Sequence, residues 1–511
     1  FDLEVDLLMR LHRADPARGH DRAALEVSER ARARFLLDLL EEARADIRQG
    51  GDPELREREK ALAERLNLKA ERQVERLSGS ASPEIRAEAE REIQTLLTEL
   101  DAVRALIRSR SPRYAALTQP RPLRTPEVQA LLDPRTLLLE YSLGEERSYL
   151  WIVDAGAVAS FELPPRAEIE RAARQIYEGM RRLDTDGSRT WEPAAAALSR
   201  TLLGPVAGRL AGRRLVIVAD GALHYLPFGA LPVPDAAAGA PSPDLLIDRH
   251  EIVTLPSASV LAIQRRDLSG RPPAPKVVAV LADPVFDATD TRLARTGKKE
   301  EGRLAARAVE RGSVPDAFPA FPRLPSTRLE AEKIAALVPA DRSLVALDFR
   351  ASRELALDGL EPFQIVHFAT HGVVNAQTPE LSGLVLSRVG EDGKAREGFL
   401  SLTDVYNLQL GADLVVLSGC ETALGREIRG EGLVGLTQGF FYAGSARVVA
   451  SLWRVQDRAT AELMSRFYGA MLREGKAPAA ALREAQLSIR RERRWRNPYY
   501  WAAFVLQGDW K

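Results

Sequence analysis

The sequence predicts an α/β protein, a mostly parallel sheet covered by helices on both faces, preceded by an all-α helical region. Residues 1 to about 115 are dense in Ala, Arg, Glu and Leu, and their apolar residues recur at helical spacing. From about 116 onward, short continuous apolar runs alternate with helical ones, the pattern of strands buried on both faces. A Pro-rich joint at 271–275 divides that stretch, and the alternation then restarts. The expected divisions are therefore 1–115, 116–275 and 276–511.

Each element has a local cause. Leu7 to Arg34 reads as a short helix, an Asp15-Pro16 turn and a second helix. Phe35, Leu36, Leu39, Leu40, Ala43 and Ile47 make an apolar stripe that Gly50, Gly51 and Pro53 terminate. Leu62, Leu66, Leu68, Val74 and Leu77 mark another helix, and a further one runs to about Ile107. Such a stack fits a plain helical bundle or the end of a helical repeat array. Pro120, Pro122 and Pro126 then form a linker. Strands are expected at Leu137–Tyr141, Tyr149–Asp154, Leu215–Ala219 and Ile252–Leu255, with helices near 167–183 and 193–211. After the joint, strands are expected at Lys276–Leu281, Ser343–Ala346, Gln364–Ala369, Asp413–Ser418 and Arg447–Ser451. Helices are expected at about 327–337, 351–358, 432–442, 457–473 and 477–490.

Composition narrows the function. The chain of 511 residues balances 72 Lys+Arg against 72 Asp+Glu, so no net field gathers nucleic acid or an anionic membrane. A single Cys excludes an intrachain disulfide framework and any Cys-rich zinc or iron–sulfur centre. It suits a reducing compartment, and a cytoplasmic location is expected. No run approaches the roughly 18 apolar residues of a membrane span. A chain that starts at Phe1 points to a missing upstream segment. The basic run Arg490–Arg496 is interrupted by Glu492 and reads as a solvated face. The stretch 286–325 reads as a long surface excursion, a candidate processing or regulatory loop.

Two strand ends carry the chemistry. Gln364-Ile-Val-His-Phe-Ala-Thr is a buried run ending at His371-Gly372, and Asp413-Leu-Val-Val-Leu-Ser is another ending at Gly419-Cys420. In an open parallel sheet, ligands bind beyond the carboxyl ends of the strands. The separation, 420 − 371 = 49 positions, suits a crossover between neighbouring strands. A thiol placed there becomes a nucleophile once an imidazole takes its proton. The amides of Gly372 and Cys420 are candidates to hold an oxyanion. A lone Cys or His at a strand end is more often structural, so the case rests on the pair together. His367 and His371 have metal-helix spacing, but Phe368 stands where that motif needs Glu, and the run reads as a strand.

The strings His371-Gly372, Leu381-Ser-Gly-Leu-Val-Leu386 and Leu417-Ser-Gly-Cys-Glu-Thr-Ala423 resemble the CHAT domain, a bacterial caspase-like peptidase related to separase. The resemblance continues through Gly439-Phe-Phe-Tyr-Ala-Gly444, Val449-Ala-Ser-Leu-Trp453 and Trp501-Ala-Ala-Phe504. Upstream, Leu138-Leu-Glu-Tyr141 and Asp220-Gly-Ala-Leu-His-Tyr-Leu-Pro-Phe-Gly-Ala-Leu231 are similar to the family's first half, so the likeness covers roughly 120–511. Leu8 to His12 and Ser28 to Arg34 look like the degenerate tetratricopeptide tail that often precedes this domain.

The resemblance implies a caspase-like fold, with 116–275 as a non-catalytic half, 276–511 as the catalytic half, and His371 and Cys420 as the dyad. The pentapeptide of caspases is replaced by Ser-Gly-Cys-Glu-Thr, so aspartate specificity does not carry over. Asp457 resembles the acidic residue with which separase holds an arginine, although Asp before a helical run is also a good N-cap. The expected function is a cysteine endopeptidase acting on a protein substrate, gated by a protein activator docked on the helical N-terminus. No metal or cofactor, no nucleic acid and no membrane are expected. A non-catalytic scaffold and a Cys-dependent amidase or esterase are the alternatives.

Overall fold

The computed structural model describes residues 1–32, scattered positions within 54–106 (91–100 continuously), and 123–183, 190–235, 244–293, 321–373, 381–419 and 431–511. Cys420, the 116–122 linker and most of the 286–325 excursion lie outside the described residues. The chain folds into two compact units, one made of Phe1–Leu37, Arg121–Pro272 and Ala446–Lys511, the other of Asp38–Pro120 and Pro273–Ser445.

The first unit opens with helices α1 (Asp2–Ala14) and α2 (His20–Arg32), which pack together through Val5, Met9, Ala24 and Leu25. Gly19, at φ +69, supplies the left-handed residue that turns one helix into the next. Strands β1 (Thr136–Ser142), β2 (Ser148–Val153) and β3 (Val158–Leu163) form an antiparallel meander. Only residues 143–147 and 154–157 join them, too few for the crossover of about a dozen residues that parallel pairing needs. The chain then passes α3 (Arg166–Met180) and α4 (Glu192–Leu203) to β4 (Arg214–Val218), which pairs parallel with β1 and with β5 (Ile252–Leu255). α5 (Ala258–Leu268) follows, with the Ser257 side chain accepting from the Val260 N–H as its N-cap.

In the second unit, β6 (Lys276–Pro284), β7 (Ser343–Asp348), β8 (Phe363–Ala369) and β12 (Leu414–Leu417) form an all-parallel sheet in the order β12-β8-β6-β7. Helix α6 (Pro325–Ala335) packs on β6, and α7 (Glu431–Tyr442) leads out of the region after β12. Three short strands, β9 (His371–Val373), β10 (Gly383–Val385) and β11 (Phe399–Ser401), make a separate antiparallel sheet in the order β11-β10-β9. Described residues of the 54–106 stretch are helical, and Leu62, Leu66, Ile93, Leu96, Leu100 and Val103 share one core with Phe286, Phe321, Val373 and Val385.

The C-terminal segment returns to the first unit as β13 (Arg447–Ser451), α8 (Asp457–Tyr468), α9 (Pro478–Arg491) and β14 (Phe504–Gly508). β14 pairs antiparallel with β13 and parallel with β5. Arg265 of α5 grips Asp509 through two hydrogen bonds of 2.9 and 2.8 Å and lies 4.5 Å over the Trp510 ring. The expected α/β class, mostly parallel sheet and N-terminal helices are all present. The antiparallel pairings, β3, β14, α5 and the small three-stranded sheet were not anticipated.

Candidate active site

β8 and β12 are apolar and buried, which makes them neighbours inside the sheet rather than edges. They pair in parallel with Leu414 opposite Ile365 and Leu417 opposite Phe368, so both carboxyl ends finish at one level. The pairing continues one step past the ladder, where the Ser418 N–H donates to the Phe368 carbonyl at 3.0 Å. Beyond it Gly419 lies against Thr370. A Cβ added at Gly419 would sit 2.7 Å from the Thr370 nitrogen and closer still to its carbonyl oxygen. Only glycine allows that approach. The residues immediately before positions 371 and 420 therefore touch through their backbones.

His371 opens β9 and is 1% exposed. Its ring is packed by Phe286 and Phe321, with centroids at 5.0 and 5.3 Å. Its Nε2 lies 2.7 Å from the Pro322 carbonyl oxygen. A carbonyl only accepts, so Nε2 carries the proton, and in the neutral ring Nδ1 holds the basic lone pair. Gly372, the next residue, is buried in β9 opposite Leu384. The Thr370 hydroxyl donates to the Val385 carbonyl, which ties the turn between β8 and β9 to β10.

Behind the strand ends lies a second buried cluster. His367 Nε2 is 2.8 Å from Glu330 Oε1 on α6 and 3.0 Å from Ser418 Oγ. Residues 363–369 are a strand, as expected from their apolar run. Asp457 is half-buried at the first position of α8, with Gln456 as the N-cap, and belongs to the first unit, whereas His371 and Gly372 belong to the second. Its carboxylate stands in the first helical turn, where the macrodipole favours negative charge.

Pro322, Phe286 and Phe321 are not among the site residues the sequence predicts. A backbone acceptor has no residue type to betray it. The one signal available was the Phe-Pro-Arg triplet where the long excursion ends.

The sequence profile of the CHAT domain matches residues 192–509, well over half the chain. The chain belongs to the CHAT domain family. The match takes in His371, Cys420 and Asp457 and leaves α1, α2, the β1–β3 meander and α3 outside it. Among proteins similar to this CHAT chain is mouse tetratricopeptide repeat protein 28 (Mus musculus), 26% identical over 360 residues, covering 62% of this chain and 13% of that protein. The human protein of the same name (Homo sapiens) is 25% identical over 355 residues, with the same coverage. The chain thus spans only a small part of the relatives it matches. Among solved structures, the Saccharomyces cerevisiae separase–securin complex aligns with a TM-score of 0.43 at 11% identity, covering 84% of this chain and 34% of that one. No helix among the described residues of the CHAT chain is long and apolar enough to cross a membrane.

Proposed function

We propose that this CHAT protein is a cysteine endopeptidase whose dyad is His371 and Cys420. The observation that carries the reading is the junction of Gly419 with Thr370, which makes 371 and 420 the next residues past two adjacent parallel strand ends. With Nε2 of His371 committed to the Pro322 carbonyl, Nδ1 is the nitrogen that takes the thiol proton. The thiolate of Cys420 attacks the scissile carbonyl, and the amides of Gly372 and Cys420 hold the oxyanion. The C–N bond breaks as His371 returns the proton to the leaving amine, and water then hydrolyses the thioester. Asp457 receives a basic side chain at the residue before the cut. A reducing, cytoplasmic setting keeps the thiol free.

The helical N-terminus is the gate in this reading. Its support is the shared core, in which Leu62, Leu66, Ile93, Leu96, Leu100 and Val103 pack with the two rings that flank His371, Phe286 and Phe321. A protein docked on those helices would move the histidine's packing partners.

The test compares wild type, Cys420→Ala and His371→Ala on arginyl, lysyl and aspartyl peptides and on candidate protein partners, with a thiol alkylator as control. Both variants should lose about 10³-fold or more in kcat. Arginyl and lysyl peptides should be cut faster than aspartyl ones, and Asp457→Ala should erase that preference. Identical behaviour of wild type and Cys420→Ala in every assay would leave a non-catalytic scaffold.

A further inference from the structure

We propose that Asp283 and Arg323 form a clamp that holds the His371 ring in its Nε2-donating tautomer, which makes them positioning residues of the dyad. The proposal rests on the peptidase reading above. Arg323 directly follows Pro322, whose carbonyl accepts from His371, and Phe321, whose ring packs on it. The Arg323 guanidinium grips Asp283 in bidentate fashion, Nε to Oδ1 at 2.8 Å and Nη2 to Oδ2 at 2.6 Å. That geometry fixes direction as well as distance, so the backbone at 322 is held in register with the imidazole.

The anchor itself is rigid. Asp283 is fully buried at the end of β6, where the pairing with β7 shifts register, and its φ of +47 lies where L residues rarely sit. Its N–H donates to the Thr327 hydroxyl at 3.0 Å, and its carboxylate also receives Arg328 at 3.0 Å and Arg292 at 3.2 Å. Asp348, at the end of β7 with φ +54, takes Arg292 and Arg328 from its own side. Two strand-end aspartates in a strained backbone region persist because the arginines over-determine them. Arg292 is held in turn by Asp290, 2.6 Å away, and Arg323 is the arginine of that network whose own backbone adjoins the residues touching the histidine.

The chemical consequence is a choice of tautomer. If the Pro322 carbonyl drifts, the proton can settle on Nδ1, and that nitrogen then has no lone pair with which to take the thiol proton. A triad histidine left in the wrong tautomer costs orders of magnitude in kcat.

The test uses full-length Arg323→Gln, with Arg328→Gln as control because it touches the same Asp283 from α6 but not residue 322. Long-range proton–nitrogen correlations on isotope-labelled histidine read the His371 tautomer without any need for cleavage. Wild type and Arg328→Gln should show the Nε2–H pattern, and Arg323→Gln a mixture. With arginyl peptides, Arg323→Gln should lose roughly 10- to 100-fold in kcat with KM within about twofold. Alkylation of the single Cys should slow in parallel. Arg323→Lys, which keeps one ion pair, should fall between and decides the matter if the Gln variant fails to fold. An unchanged tautomer in Arg323→Gln, or an equal change in Arg328→Gln, overturns the clamp. Cleavage by Cys420→Ala at the wild-type rate would overturn the peptidase reading instead, and the imidazole pattern would still decide the clamp.

Discussion

At the scale of single residues, the site depends on what Gly419 lacks. The backbone of Thr370 occupies the space a Cβ would need, and backbone atoms cannot swing aside as a flexible side chain does. Gly419→Ala should therefore push the end of β12 away from β8, with the fold kept and peptide cleavage reduced about a hundredfold, as misplacement of the order of an ångström does. Gly208→Ala, where nothing lies within 4 Å of the added carbon, should leave cleavage unchanged. His371 and Cys420 were readable as candidates because each is a reactive residue type at the end of an apolar run. The Pro322 carbonyl and the rings of Phe286 and Phe321 were not, because they approach from distant positions that no periodicity links to residue 371.

At the scale of elements, α2 is locked into the first unit by polar contacts as well as by its buried Ala24, Leu25 and Val27. The fully buried Glu29 carboxylate accepts the Ala258 and Ser259 N–H groups, both at 2.8 Å, and the Ser259 hydroxyl at 2.6 Å. It thus satisfies the first orphan donors of α5 and neutralises that end of its dipole. Nearby, Ser28 and Arg32 donate to the buried Glu140 of β1. Burial, with the Glu29 charge adding to it, raises the Glu140 carboxyl well above its usual range. Glu29→Ala should cost about 2–4 kcal/mol, the desolvation cost of the donors it leaves buried. Amide hydrogen exchange should speed up first at the start of α5. Unchanged exchange there would reject the cap. The long apolar strands were legible because burial on both faces leaves a continuous signature. β14 was not, since its half-buried alternation follows a run of Trp and Tyr that reads as neither pattern.

At the scale of the whole molecule, the two units carry different acid-sensitive groups. In the first unit, burial pushes the His224 imidazole down to about 4, against the pull of Asp220 and with the help of Arg32. Burial also lowers His250, whose Nδ1 faces the Arg213 carbonyl. A histidine depressed below its unfolded value of 6.5 contributes stability in full above that pH. The contribution is lost as pH falls from 6.5 toward 4, because the unfolded chain takes up a proton that the folded one refuses. In the second unit, burial alone would raise the Asp348 and Asp290 carboxyls, but hydrogen bonds from Arg328 and Arg292 hold Asp348 below 3.8, and those from Arg292 hold Asp290 below it. Their contribution is kept until the pH drops under that value. Acid titration should therefore loosen the first unit between 6.5 and 4, and the second only below 3.8. His224→Gln should flatten the upper slope. A single transition below 3.8 would contradict the assignment.

By itself the sequence determined the α/β class, the order of most elements, the family and the two strand ends that carry the proposed dyad. These follow from local causes: periodicity, burial of continuous apolar runs, and residue types whose reactivity is intrinsic. Only the tertiary structure decided that Gly419 closes on Thr370, that His371 donates from Nε2 to residue 322, and that three arginines converge on Asp283. It also joined the C-terminal strands to the first unit rather than to the stretch that precedes them. Each is a contact between segments far apart in the chain, set by strand register and packing geometry, quantities that a one-dimensional pattern does not carry.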